Sequence, residues 1–231
     1  MQRASAVTAT PHTASGRIAL GVSYRGTAYD GWQSQPGGRT VQDRLEQALA
    51  RFAATPVRTH CAGRTDAGVH AFNQVVHVDA PVARPPFSWV RGTNRYLPTD
   101  IAVQWCRPVA ATFHARNSAR GRRYRFVVLE SPVRPALEHG ACGWVFRPLD
   151  AEAMRAAASY LVGEHDFSSF RAAGCQARTP VKTLRALAIA SGGILNAVSS
   201  LSFAIAPIDR VAGKSAVSIT LGFKPSVPMP Q

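Results

Sequence analysis

Residues 61–71 read Cys61-Ala62-Gly63-Arg64-Thr65-Asp66-Ala67-Gly68-Val69-His70-Ala71. A single carboxylate, Asp66, stands between two glycines, with an arginine two positions before it. Glycines so placed let the backbone take positive φ and let another molecule approach the main chain. Packing has no use for an arginine and an aspartate this close, because charged side chains are rarely buried. Were the loop extended, Arg64 and Asp66 would project to one side, since side chains alternate with a period of two. The guanidinium would then hold the carboxylate ionised and aimed outward. The plainer reading is a turn whose Asp bonds its own backbone. Either way the flanks decide the fold. Val57 to Cys61 reads as a short strand entering the loop, and Gln74 to Val78 as a second strand leaving it.

Outward from the loop the pattern is regular. Arg17 to Tyr24 alternates as a strand and ends in Arg25-Gly26 and a polar loop, Tyr29-Asp30-Gly31-Trp32-Gln33. Thr40 reads as an N-cap with Asp43 three residues on, and Leu45, Ala48, Leu49 and Phe52 follow at helical spacing. Ser88 to Leu97 is predicted helical, stopping before Pro98, and Ile101 to Cys106 is a strand. The order β-α-β-β-α-β is that of a ferredoxin-like unit. Beyond Pro108, taken as a boundary, come Phe113-His114-Ala115-Arg116 and the basic run Arg120-Gly121-Arg122-Arg123. A strand from Tyr124 to Leu129, a helix from Ala151 to about Val162 capped by Asp150, a loop at 166–170 and a strand from Leu184 to Ala190 complete the pattern. The expected fold is α+β: two ferredoxin-like halves sharing a mostly antiparallel sheet with a central cleft. The expected divisions are a disordered tail (1–16), an N-terminal half with the Asp66 loop (17–108), an incomplete second half (109–190) and an atypical tail (191–231).

Across 231 residues, 27 Lys plus Arg face 13 Asp plus Glu, a formal net charge of +14. Lysine occurs only at Lys182, Lys214 and Lys224, so the charge is nearly all arginine, whose planar guanidinium suits phosphates. A polyanionic partner is expected; a GC-rich genome, which raises arginine everywhere, is the alternative source of the same excess. The four cysteines, at 61, 106, 142 and 175, show no C-x-x-C spacing, which argues against a zinc site or a disulfide framework and for reduced thiols. The first sixteen residues have no apolar core of a secretory signal, and no run has the length of a membrane span.

The string C-A-G-R-T-D-A-G-V-H-A closely resembles the signature of the TruA-type tRNA pseudouridine synthases. The resemblance extends over about Arg17 to Ala190 through Y-D-G-W-Q (29–33), V-Q-D-R-L-E (41–46), F-H-A-R (113–116), R-R-Y-R-F (122–126), D-F-S-S-F-R (166–171) and C-Q-A-R-T-P (175–180). It implies isomerisation of uridine to pseudouridine in the anticodon stem-loop of tRNA, positions 38–40, in the cytoplasm, by a homodimer that needs no cofactor, metal or membrane. It also implies that Asp66 is catalytic with Arg64 orienting it, and that Tyr124 contacts the target base. An aromatic face suits a base taken out of its stack. Arg120, Arg122, Arg123 and Arg125 would meet phosphates, although strand alternation puts Arg123 and Arg125 opposite Tyr124. Gln33 lies in a loop placed to touch RNA; Trp32 beside it serves RNA or packing equally well. His70 would brace the Asp66 loop, and His114 would cap or position the hinge between halves.

From about Ser191 the pattern is expected to stop. Twenty-three arginines precede Ser191 and only Arg210 follows it, while Glu, His, Trp, Tyr and Cys are absent from the last 41 residues. A frameshift or similar lesion would leave such a tail. The competing expectation is therefore a catalytically impaired RNA-binding remnant. An aspartic hydrolase, suggested by D-A-G, is disfavoured because such sites need two carboxylates sharing a proton, which a neighbouring arginine opposes.

Overall fold

The computed structural model describes residues 14–171, 179–193 and 215–223. The expected disordered tail lies outside these residues up to 13, as do 175–178 of the C-Q-A-R-T-P segment and most of the atypical tail. The chain divides into two compact units after Ser118, so residues 109–118, past the Pro108 boundary, belong to the first unit.

The first unit runs β1 (Ala14–Tyr24), α1 (Val41–Ala53), β2 (His60–Cys61), β3 (Ala71–Arg84), α2 (Pro86–Asn94) and β4 (Ile101–Pro108). Its sheet has the order β2-β3-β1-β4 with every pair antiparallel, which is the ferredoxin-like arrangement. Thr40 caps α1 by accepting from the Asp43 N–H. The apolar stripe Val41, Leu45 and Leu49 is buried in one cluster with Ile18, Leu20 and Val22 of β1 and Val76 and Val78 of β3, and Ala48 beside it is buried too. Each fully buried leucine contributes about 2 kcal/mol. α2 starts two residues earlier than predicted, because Pro86 fits the first helical turn, where its missing N–H has no cost. Asn94 ends it, donating to the Val103 carbonyl at 2.9 Å and accepting from the Val103 N–H at 2.7 Å. Gly92 lets the helices meet, since a Cβ there would lie 2.0 Å from the Phe52 ring. The predicted strand from Val57 is shorter, with only His60 and Cys61 pairing.

The second unit runs β5 (Arg122–Glu130), β6 (Gly143–Val145), α3 (Ala151–Ser159), β7 (Gly163–Asp166), β8 (Val181–Gly193) and β9 (Ser215–Phe223). Asp150 caps α3 as predicted, although the helix ends at Ser159. The sheet order is β6-β5-β9-β8-β7, antiparallel except for β5 with β6. The strands β8-β9-β5 repeat the places of β2-β3-β1, with α3 following β5 as α1 follows β1. Beside β5, where β4 would stand, is the short parallel β6. The described residues hold no counterpart of α2 or β4 here.

Among the described residues the ladders make a four-stranded and a five-stranded sheet, both mostly antiparallel, in keeping with the expected α+β fold. The tail from Ser191 contributes to the second of them: Ser191–Gly193 finish β8, and Ser215–Phe223 form the central strand β9. Its residues Val217, Ile219, Leu221 and Phe223 alternate with Ser218, Thr220 and Gly222, a strand pattern in the sequence itself.

Candidate active site

Asp66 lies in the loop between β2 and β3, and nearly every backbone position around it is tied down. The Ala62 N–H donates to the Val75 carbonyl at 2.8 Å, and the Gln74 side chain bonds both the N–H and the carbonyl of Gly63. Thr65 is held twice: its hydroxyl meets the Tyr24 hydroxyl at 2.8 Å, and its carbonyl accepts from the Trp32 N–H at 2.9 Å. Asp66 then opens a tight turn, its carbonyl accepting from the Val69 N–H at 3.2 Å. Gly68, at φ +79°, holds the third position of that turn, which requires positive φ. The Gly68 N–H reaches the Tyr29 carbonyl at 3.3 Å, and His70 Nδ1 accepts from the Gly26 N–H at 2.9 Å.

Two glycines outside the loop make this packing possible. A Cβ on Gly26 would lie 2.1 Å from the Val69 carbonyl oxygen, and one on Gly31, at φ +94°, would lie 2.8 Å from that of Thr65. The loop 29–33 is therefore a backing for the Asp66 loop. Trp32, 1% exposed and against the Tyr24 ring, belongs to the core, which removes it from the RNA-facing candidates. Gln33 is half-buried beside it. The sequence reading missed Tyr24, Gln74 and Gly26 as braces; the spacing of Gly26 and Gly31 before a buried tryptophan was the available signal.

The carboxylate of Asp66 is exposed and makes no hydrogen bond or ion pair with the described residues. The expected pairing with Arg64 is not formed. The extended geometry it needed ends at Thr65, because the chain turns at Asp66. The Arg64 guanidinium is also exposed, and its charge acts on Cys61, whose thiol burial nonetheless pushes up. Tyr24 is likewise pushed up, chiefly by burial.

A second group of side chains flanks β2. The rings of His60, His77 and His114 lie 4.7–5.7 Å from one another, centroid to centroid. His77 Nδ1 accepts from the Ala115 N–H at 3.1 Å, and His114 Nδ1 accepts from the Arg116 and Asn117 N–H groups. Arg17 pairs with Asp79 at 2.8 Å and also donates to the carbonyls of Ala111 and Phe113. His77 and Arg17 thus fasten residues 109–118 to the first unit. His114 caps a turn within that segment. Among the described residues no group of three or more His, Cys, Asp and Glu side chains is arranged to hold a metal ion. Cys61 and Cys106 are free thiols.

Tyr124 lies on β5 in the second unit, 40% exposed, opposite Leu221 of β9. Arg122 is half-buried, and Arg120, Arg123 and Arg125 are exposed. The unshifted β5–β9 ladder keeps the alternation, with Arg123 and Arg125 on the face away from Tyr124.

The family model described as tRNA pseudouridine synthase matches residues 21–117 and 157–204. The chain is also 74% identical over 177 residues to tRNA pseudouridine synthase A of Methylibium petroleiphilum, covering 77% of this chain and 68% of that protein. This chain belongs to the tRNA pseudouridine synthase family. The synthase of the same name from Paracidovorax citrulli is 68% identical over 177 residues, 77% of this chain and 64% of its own. That of Polaromonas naphthalenivorans is 66% identical over 173 residues, 75% and 66%. The chain thus spans about two thirds of the length of these relatives. The family match includes the whole Asp66 loop and runs past Ser191 to 204, further than the sequence reading carried it. It leaves 118–156, with Tyr124 and the basic run, between its two segments. No helix among the described residues is long and apolar enough to cross a membrane.

Proposed function

We propose that this chain isomerises uridine to pseudouridine in tRNA, at positions 38–40 of the anticodon stem-loop, with Asp66 as the catalytic carboxylate. The observation that carries the reading is an exposed, uncommitted carboxylate on a turn whose neighbours are fixed by hydrogen bonds, within the segment that the family shares. Such a group keeps its charge and lone pairs for a substrate, and its loop needs little reorganisation on binding.

The reaction breaks the bond between uracil N1 and the sugar C1′ and forms one between C5 and C1′. The C5 hydrogen leaves as a proton and N1 takes one up, so no electrons are exchanged. A carboxylate beside C1′ stabilises the electron-poor sugar, as carboxylates do in glycoside cleavage, acting either as nucleophile or as base. Arg64, which forms no ion pair with the described residues, is available to a substrate phosphate next to the reacting nucleotide. Tyr124 supplies a stacking face for the detached base, and Arg120, Arg122, Arg123, Arg125 and Gln33 supply outer contacts to the RNA. The resemblance extends the proposal to a cytoplasmic homodimer that binds tRNA across both subunits.

Release of tritium from tRNA labelled at uridine C5 tests the proposal. Asp66→Asn should lower single-turnover release by at least about 10⁴-fold, as loss of a reacting group does, with tRNA affinity little changed. An unchanged rate would remove Asp66 from the chemistry. Binding without release by the unaltered chain would leave an RNA-binding protein and no enzyme.

A further inference from the structure

Behind the Asp66 loop the first unit has a cavity of about 650 Å³, whose walls include Tyr29, Arg39, Arg44, Arg51, Tyr96 and Asp100. Arg44 and Arg51 stand seven residues apart on α1, so they share one helix face about 10 Å apart along the axis. The other charged groups are already engaged. Arg39 grips Asp30 through Nε at 3.1 Å and Nη2 at 2.9 Å, and Asp100 accepts from the Tyr29 hydroxyl at 2.7 Å. Arg44 and Arg51 are exposed, and neither guanidinium has an ion pair or hydrogen bond among the described residues. The cavity therefore offers two uncommitted cationic forks against a single lining carboxylate, Asp100, whose Oδ1 is taken by the Tyr29 hydroxyl. Tyr29 is the partition: its side chain lines the cavity, while its carbonyl accepts from the Gly68 N–H inside the Asp66 turn.

We propose that Arg44 and Arg51 form a phosphate-binding site for the backbone of the RNA whose uridine reaches Asp66. The inference rests on the reading of this chain as an RNA-modifying enzyme and adds a contact surface on α1. Guanidinium forks suit phosphate oxygens, and two of them, two helical turns apart, suit successive points of a sugar–phosphate chain better than one small anion. Such contacts fix the register of an RNA without reading its sequence. The site acts on binding and leaves the chemical step to the Asp66 loop.

The test uses the full chain carrying Arg44→Gln and Arg51→Gln together, beside a control of equal charge loss, Arg58→Gln with Arg91→Gln. Affinity for unmodified tRNA is measured across a salt series, and label release is measured in single turnover at saturating RNA. The α1 variant should bind about tenfold more weakly at 0.1 M salt, and its log–log salt slope should be shallower by roughly 1.5–2, two phosphate contacts' worth. Its saturated rate should match that of the unaltered chain, and the control should lose much less affinity. Equal losses in both variants would make the effect one of net charge and overturn the site, as would an unchanged slope. If the unaltered chain binds and turns over tRNA while the α1 variant behaves like it, only the α1 site falls. If the unaltered chain binds no RNA, the enzymatic reading falls with it.

Discussion

The imidazole of His70 accepts from the Gly26 N–H at 2.9 Å, which requires that its Nδ1 carry no proton in the folded loop. Gly26 is buried, so removing this acceptor strands an N–H away from water at a cost of about 1–3 kcal/mol. The stranded donor would also free the downstream side of the Asp66 turn. His70→Phe should therefore slow single-turnover pseudouridine formation by roughly 10–100-fold, the scale of a displaced reacting group, with tRNA affinity kept. His70→Asn places an amide oxygen near the position of Nδ1 and should restore most of the rate. Equal rates for the two variants would show that His70 merely fills space. The tight loop around Asp66 and the bracing role of His70 were both legible in the sequence, because the glycines and the single charge mark a special loop. The Arg64 pairing was not: it depended on the chain staying extended through Asp66, and a hydrogen bond four residues long, from Val69 back to Asp66, bends it there.

At the scale of elements, the segment 109–118 is held to the sheet by side chains of β1 and β3. Its fastening at Ala115 needs a neutral His77. Burial, then the charges of His114, Arg17 and His60, pushes His77 down to about 4, with Asp79 opposing. These are the groups that face it: Arg17 from β1, His60 from β2, Asp79 from β3 and His114 from the segment itself. A folded-state value below that of the unfolded chain gives stability that is complete above pH 6.5 and drains away as pH falls toward 4. The unfolded chain takes up its proton first. Urea midpoints should accordingly fall between pH 6.5 and 4 by the equivalent of about 2–3 kcal/mol. His77→Asn, which keeps an acceptor for the Ala115 N–H, should flatten that fall; an unchanged profile would assign it to other groups. The element order of the first unit was readable from periodicity and capping, since Thr40 and Pro86 act locally. β9 carries as clear an alternation, but in a tail whose composition departs from that of the rest of the chain. The short β6 and β7 carry too few residues for periodicity to speak.

At the scale of the molecule, the described residues of the two units differ in how much apolar surface they bury. Every described buried hydrophobic residue lies within residues 18–115 except Leu129, Ala158 and Leu184. In the second unit Phe126, Phe146, Tyr160 and Phe170 are 59–79% exposed. Its sheet repeats the β-α-β-β run of the first but has no described counterpart of α2, the helix that buries Trp89 against Phe52 in the first unit. The alternation of apolar residues forecast the repeated strands but not this difference, because a strand's pattern is the same whether or not a helix covers it. Since burial is the main favourable term and each uncovered aromatic forgoes up to about 2–3 kcal/mol, the second unit should be much the less stable. Native-state hydrogen exchange provides the measurement. Amides of α1 and of β1 and β3 should exchange only through global opening, whereas those of β5 and β8 should exchange through a separate opening at least about 2 kcal/mol easier. Addition of tRNA should slow exchange in the second unit more than in the first, because a ligand protects most where opening was easiest. Matched exchange rates in both units would mean that they unfold as one, and the exposed aromatic residues would then have no energetic consequence.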